Sequence, residues 1–299
     1  MTLRRWLTAG VVSAAATAAA RAGLAARAPG GEQRWTRRNH RGEPISLLEG
    51  PAAVAGLVAG VLAGGAHSSS ERTPTGCDRG GRETVAQVVA VIGAGAFGIY
   101  DDLVEDTSSR SKGLRGHLTA ALHGELTTGG LKVLGIGGAA LIAAAIASDR
   151  RASAPVRVLD IALDGALIAA SANFVNLLDL RPGRALKASA LAATAMTAAG
   201  LGTAPAAVLG ATLGTARADL AEADMLGDGG ANALGALLGA TLALGAPRPV
   251  RAVTLAALVA LTVASEKVSF SRVIAGTPWL AAVDAWGRRA PTATDSAPE

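Results

Sequence analysis

The sequence predicts an all-α, polytopic integral membrane protein with about 9–10 transmembrane helices, and three observations predict it. Half of the 299 residues are hydrophobic, and the mean hydropathy is +0.37. Charged residues make up 17% of the chain, against about 25% in soluble domains. Apolar stretches of roughly 15–21 residues recur along the whole length between short polar loops, close to the ~20 that a spanning helix needs.

Spans are expected near 6–26, 51–66, 84–100, 129–148, 158–177, 187–201, 203–217, 229–246 and 250–264, with a tenth possible. The first also has the layout of a signal peptide: Arg4-Arg5, an apolar run, then small residues around Ala25-Ala26. The basic loop that follows favours a retained span. The apolar residues are mostly Ala, Leu, Val and Gly, with 3% aromatics. Small residues let helices approach closely in lipid, and the same Ala and Arg richness is what GC-rich coding produces. Residues 1–285 form one multi-span domain, and the Pro-, Thr-, Ser- and Ala-rich tail 286–299 is expected to be disordered.

The net charge of +5 does not point to nucleic acid, because the arginines sit in loops between apolar spans. Anionic headgroups and topology account for them. Arg34, Arg37, Arg38 and Arg41 place the loop between the first two spans on the cytoplasmic side, while Arg72, Arg79, Arg82, Arg150, Arg151 and Arg157 pull the other way. In this orientation Asp101, Asp102, Glu105, Asp106, Glu125, Asp179, Asp219, Glu222, Asp224 and Asp228 share the cytoplasmic face. A polar site built from several cytoplasmic loops follows. The one cysteine, Cys77, excludes an intramolecular disulfide. The segment 107–128 is too polar to span and is expected to hold a short interfacial helix.

Three motifs carry chemistry. Asp101-Asp102 closes the third span, where acids oppose the helix dipole. Such a pair can hold Mg²⁺ with substrate phosphates, or one acid can act as a base; the alternative is a solvated helix end. Asn173, Asn176 and Asp179 are spaced by three, near one helix face. Their amides suit a base, a sugar hydroxyl or a phosphate, with helix–helix hydrogen bonding as the alternative. In Gly227-Asp228-Gly229-Gly230, an acid before small residues can hold a metal while backbone amides approach phosphate, or it can simply cap the next helix.

Together and in this order the motifs resemble those of the polyprenyl-phosphate N-acetylhexosamine-1-phosphate transferases, the superfamily that includes phospho-MurNAc-pentapeptide translocases. That family carries an Asp-Asp pair after its third span, Asn-x-x-Asn-x-x-Asp after the fifth and Gly-Asp-x-Gly at the start of the eighth. Arg38-Asn39-His40-Arg41-Gly42 and Ser46-Leu47-Leu48-Glu49-Gly50-Pro51 are similar to the family's entry to the second span, so the resemblance covers nearly the whole chain. It implies Mg²⁺-dependent transfer of a sugar-1-phosphate from a UDP-sugar to a polyprenyl phosphate at the cytoplasmic membrane, in peptidoglycan or other envelope glycan assembly. It assigns Asp228 to the metal and Asp101 and Asp102 to the lipid phosphate. Asn173, Asn176 and Asp179 would line the nucleotide-sugar side, Lys112 would pair with a phosphate, and a homodimer is implied. The chain departs from the family twice. Leu180-Arg181-Pro182-Gly183-Arg184 follows Asp179, with Pro182 where the family has a second acid. The family's histidine-rich loop is replaced by 265–272, where Lys267 and Arg272 are the candidate phosphate ligands. Two rival readings are a non-catalytic homologue that binds lipid-linked precursors or partner proteins, and a secondary transporter using Asp160 and Asp164.

Overall fold

A computed structural model describes residues 2–39, 41–65, 79–104 and 128–290. Lys112, Glu105, Asp106, Cys77, the segment 107–127 and all four histidines lie outside them, as do residues 291–299. Among the described residues the chain is all-α apart from one small hairpin.

The helices are α1 (Leu3–Ala26), α2 (Glu49–Gly65), α3 (Arg79–Val104), α4 (Thr128–Ala147), α5 (Ala154–Leu178), α6 (Arg184–Ala198), α7 (Ala204–Leu220), α8 (Gly227–Gly245), α9 (Arg248–Ser265), α10 (Phe270–Ala275) and α11 (Pro278–Ala285). Each of the nine predicted spans coincides with a helix. Five of them (α1, α3, α4, α5 and α9) are long and apolar enough to cross a membrane by length and composition; α2 is apolar but shorter. Proline in the first turn of α5, α7, α9 and α11 sets their starts, since the helix has no use for that N–H.

α8 is the axis of the bundle. Fifteen of its 19 residues are buried, and it packs on α2, α3 and α5. A helix made almost wholly of Gly, Ala and Leu is apolar all round and belongs in the interior. α1 lies against α2 and α7, where Gly56, Gly60 and Gly64 of α2 and Gly210 and Gly214 of α7 leave no side chain in the way. Ser13 donates to the Ala207 carbonyl at 2.7 Å across that contact. Such close packing is how helices associate in lipid, where no hydrophobic drive separates protein from solvent. α9 differs: among the described residues it packs mainly on α5, and none of its own residues is fully buried.

The basic loop after α1, expected only as a connector, folds. Glu32–Trp35 makes a 3₁₀ turn, and strands β1 (Thr36–Arg38) and β2 (Pro44–Ser46) pair antiparallel. Ser46 then bridges to the α7–α8 loop, accepting the Met225 N–H at 2.9 Å and donating its own N–H to Ala223 at 3.1 Å. Of the tail expected from residue 286, residues 288–290 are tied back by contacts: the Arg289 N–H reaches the Leu220 carbonyl at 3.2 Å, and its guanidinium meets Glu43 at 2.7 Å.

Candidate functional site

The site is the N-terminus of α8, where the ends of α3 and α5 and the start of α4 converge. A helix start leaves backbone N–H groups without intrahelical acceptors and carries partial positive charge. A carboxylate from another helix supplies acceptors. Asp102 accepts the Asp228 N–H at 3.0 Å and the Gly229 N–H at 2.9 Å, one on each oxygen. The Asp179 carboxyl lies near the Gly227 N–H. Gly227 adopts a φ of +58°, a left-handed conformation that costs a residue with a Cβ but not glycine.

Close approach of α3 to α8 depends on Gly98. A Cβ there would stand 2.6 Å from the Asp228 carbonyl carbon and 2.7 Å from the Gly229 nitrogen. Without that side chain α3 slides against the α8 backbone, and the next turn of α3 carries Asp101 and Asp102 to the helix start. Asp101 is buried, and its carboxylate lies near that of Asp228. Lys132, in the first turns of α4, joins the two: its ammonium contacts the Asp228 carboxylate and lies 3.2 Å from Asp101. Two carboxylates on one ammonium relieve a repulsion that a low-dielectric site would otherwise magnify. No motif or spacing in the sequence marks Lys132. Its signal was a lone lysine inside an otherwise apolar span, a position that is costly unless the charge has a partner.

Asp179 stands just beyond the end of α5. Removal from water, followed by the negative charges of Asp219, Asp228 and Asp102, pushes its carboxyl well above the ordinary aspartate range. Asn176 lies on the same turn and is half-buried. Asn173 is not drawn into the site: it is exposed and donates to Thr262 of α9 at 3.3 Å. Lys267 and Arg272 are exposed, beyond the end of α9 and on α10 respectively. Asp160 and Asp164 lie on α5, and each is paired with an arginine of α9, Arg248 at 2.7 Å and Arg251 at 2.6 Å.

The α7–α8 loop is held rigidly against the site. Glu222 has a φ of +59°, a strained conformation that persists only where its surroundings impose it. Its buried carboxylate takes the Arg41 guanidinium at 3.1 Å and the Asn39 amide at 3.1 Å. Asp224 is gripped at both oxygens by Arg21 of α1, at 2.6 Å each. Loop residues thus anchor the hairpin and α1 to the end of the bundle that carries the site.

Mg²⁺ fits this donor set only in part-filled form. Among the described residues no group of three or more His, Cys, Asp or Glu side chains is arranged to hold a metal ion. Asp101 and Asp228 nevertheless already converge on a cation, the Lys132 ammonium. Two carboxylates with substrate phosphates completing the shell are a usual way of holding Mg²⁺. Asp102 has both oxygens engaged by backbone amides.

No family profile and no curated protein matches the chain. What the fold defines is a helical membrane protein in which Asp101, Asp102, Asp228 and Lys132 meet at one end of the bundle.

Proposed function

We propose that the chain transfers a sugar-1-phosphate from a UDP-sugar to a polyprenyl phosphate at the cytoplasmic face of the cell membrane. The observation that supports this reading is the convergence of Asp101, Asp102, Asp179 and Asp228 with Lys132 on the start of α8, from four helices distant in sequence. The reaction joins a lipid phosphate oxygen to the sugar-bearing phosphorus and breaks the bond from that phosphorus to the bridging oxygen. UMP carries away the electron pair. Catalysis of such a step is mainly positioning and charge stabilisation.

Bound Mg²⁺ would neutralise diphosphate charge, with Asp228 and Asp101 as its protein ligands. Lys132 would then turn its ammonium from the carboxylates to a phosphate oxygen. Asp102 fixes the start of α8 and so the direction in which Asp228 points. Asn176 and Asp179 face the nucleotide-sugar side, with the Asp179 carboxyl protonated over a wider pH range than an ordinary aspartate and able to donate to a hydroxyl or base. Lys112, Lys267 and Arg272 are the phosphate ligands this reading draws from the flanking segments, and Asn173 serves by tying α5 to α9. Envelope glycan assembly, including peptidoglycan, is the pathway class.

A second reading has its own support. The α8 amides and both Asp102 oxygens are taken, and Lys132 neutralises the remaining pair. A site closed on itself in this way suits a non-catalytic homologue that binds lipid-linked precursors. One experiment separates the two. Purified protein is incubated in detergent with undecaprenyl phosphate, Mg²⁺ and a panel of UDP-sugars, and UMP release is followed. Transfer predicts turnover with at least one donor, lost in Asp228→Asn. A folded protein with no turnover on any donor favours the binding homologue.

A further inference from the structure

We infer that the segment from α10 through Trp286 is an interfacial anchor, with the aromatic face of α11 seated at the headgroup–acyl boundary of the bilayer on the side that carries the site. The inference does not depend on the activity proposed above. α11 has eight residues and rises about 12 Å at 1.5 Å per residue. It cannot cross a hydrocarbon layer about 30 Å thick.

The orientation of α11 is the reverse of that of a helix docked on a water-soluble protein. Its polar edge faces the bundle. Asp284 takes the Arg184 guanidinium at 2.8 and 3.2 Å and Arg288 at 2.9 Å. Lys187 donates to the carbonyls of Val283 and Asp284 at 3.0 and 2.6 Å. Ser271 of α10 joins the same cluster, 3.1 Å from Arg184. These ties turn the apolar edge outward. Trp279 and Val283 are one helical turn apart, and Trp286 follows three residues later, just past the helix end; the two tryptophans are 68% and 75% exposed. Val268 and Val273 of the preceding segment are exposed as well.

An apolar patch of this kind needs a covering, and the bilayer is the occupant that continuity selects. The segment follows directly from α9, a candidate span with no buried residue, so the lipid-facing surface of α9 runs on into it. Tryptophan, apolar in body and with one N–H, concentrates at the membrane–water boundary. Exposed Lys267 and Arg272 flank the patch at the level where phosphate headgroups lie, with Glu266 the one exposed acid among them.

The test uses the full chain with Cys77→Ser, reconstituted in phosphatidylcholine–phosphatidylglycerol vesicles. A nitroxide is attached at Val283→Cys and, as a control, at exposed Gln33→Cys. The expected result is that oxygen relaxes the Val283 label several-fold more than a water-soluble nickel chelate does, with the reverse order at Gln33. Nickel access at Val283 equal to that at Gln33 overturns the inference. So does spin–spin broadening at Val283 that disappears on dilution with unlabelled protein, which would make a second copy the occupant. A measurement without the cysteine variants keeps the question decidable: brominated lipid must quench the tryptophan emission of the unmodified chain, and Trp279→Phe/Trp286→Phe must remove that quenched component. Emission unchanged by brominated lipid also overturns it.

Discussion

Asp102 shows how one side chain can be assigned by its partners. Its two oxygens accept the second and third backbone N–H groups of α8, the work of an N-cap supplied from a different helix. Alanine in a capping position costs about 0.5–2 kcal/mol; asparagine keeps one acceptor oxygen but would turn its NH₂ toward the second N–H. Asp102→Asn is therefore expected to lower the melting temperature less than Asp102→Ala does. UMP release then discriminates: if Asp102 only caps, the folded Asn variant keeps turnover, and if its charge is needed at the lipid phosphate, turnover per folded protein falls.

Asp179 gives a pH dependence at the same scale. Its folded pKa is raised by burial and by neighbouring carboxylates, so the folded state holds a proton that the unfolded chain has already released. Its contribution is fully present below the unfolded value, about 3.9, and is lost as pH rises through the folded value. Asp179→Asn is expected to flatten the decline of the detergent-solubilised protein's melting temperature toward alkaline pH. An unchanged decline would assign it to other groups.

Among the elements, the C-terminal strap is held by charge, and its pH response has the opposite sign. Burial draws Asp284 upward, but the hydrogen bond from Arg184 and the charges of Arg184, Arg288 and Lys187 outweigh it and hold Asp284 below the ordinary aspartate range. Stability from this group is present above the unfolded pKa and is lost as pH falls through the folded one. Acidification is expected to release α10 and α11 from α6 before the bundle unfolds, seen as earlier hydrogen exchange in 270–290. Asp284→Asn should give the same early exchange at neutral pH. α9 is the other weakly packed element, tied to α5 by Asp160, Asp164 and Asn173 and by partly buried Leu255 and Leu258. Pairing of Asp160 and Asp164 of α5 with Arg248 and Arg251 of α9 leaves little free charge for the coupling role that a transporter would ask of those acids.

On the scale of the whole molecule, sidedness is the testable property. The orientation inferred from the basic loops puts the site end in the cytoplasm and residue 77 outside. Cys77 is expected to react with a membrane-impermeant maleimide in intact cells. Ala290→Cys in a Cys77→Ser background should react only after permeabilisation, because residue 290 sits beside Arg41 at the site end. The opposite pattern would invert the protein and remove cytoplasmic UDP-sugars as donors.

The sequence alone determined the class and the nine long helices, though not the hairpin or the two short C-terminal helices. Apolar runs at near-spanning length dictate helices in any medium that cannot hydrogen-bond the backbone, and a helix formed over each of the nine predicted stretches. Asp101, Asp102, Asp179 and Asp228 were legible as candidates because acids at span ends are costly without a purpose. What only the tertiary structure decided is who partners whom. Spacing of three put Asn173 in register with Asp179, yet packing of α9 on α5 drew Asn173 aside. Nothing along the chain links Lys132 to Asp228; that link exists because Gly98 lets α3 lie against α8 and α4 packs beside α3. Periodicity encodes which face a residue occupies. Which helix meets that face depends on close packing between segments far apart in sequence, and that appears only once the bundle is assembled.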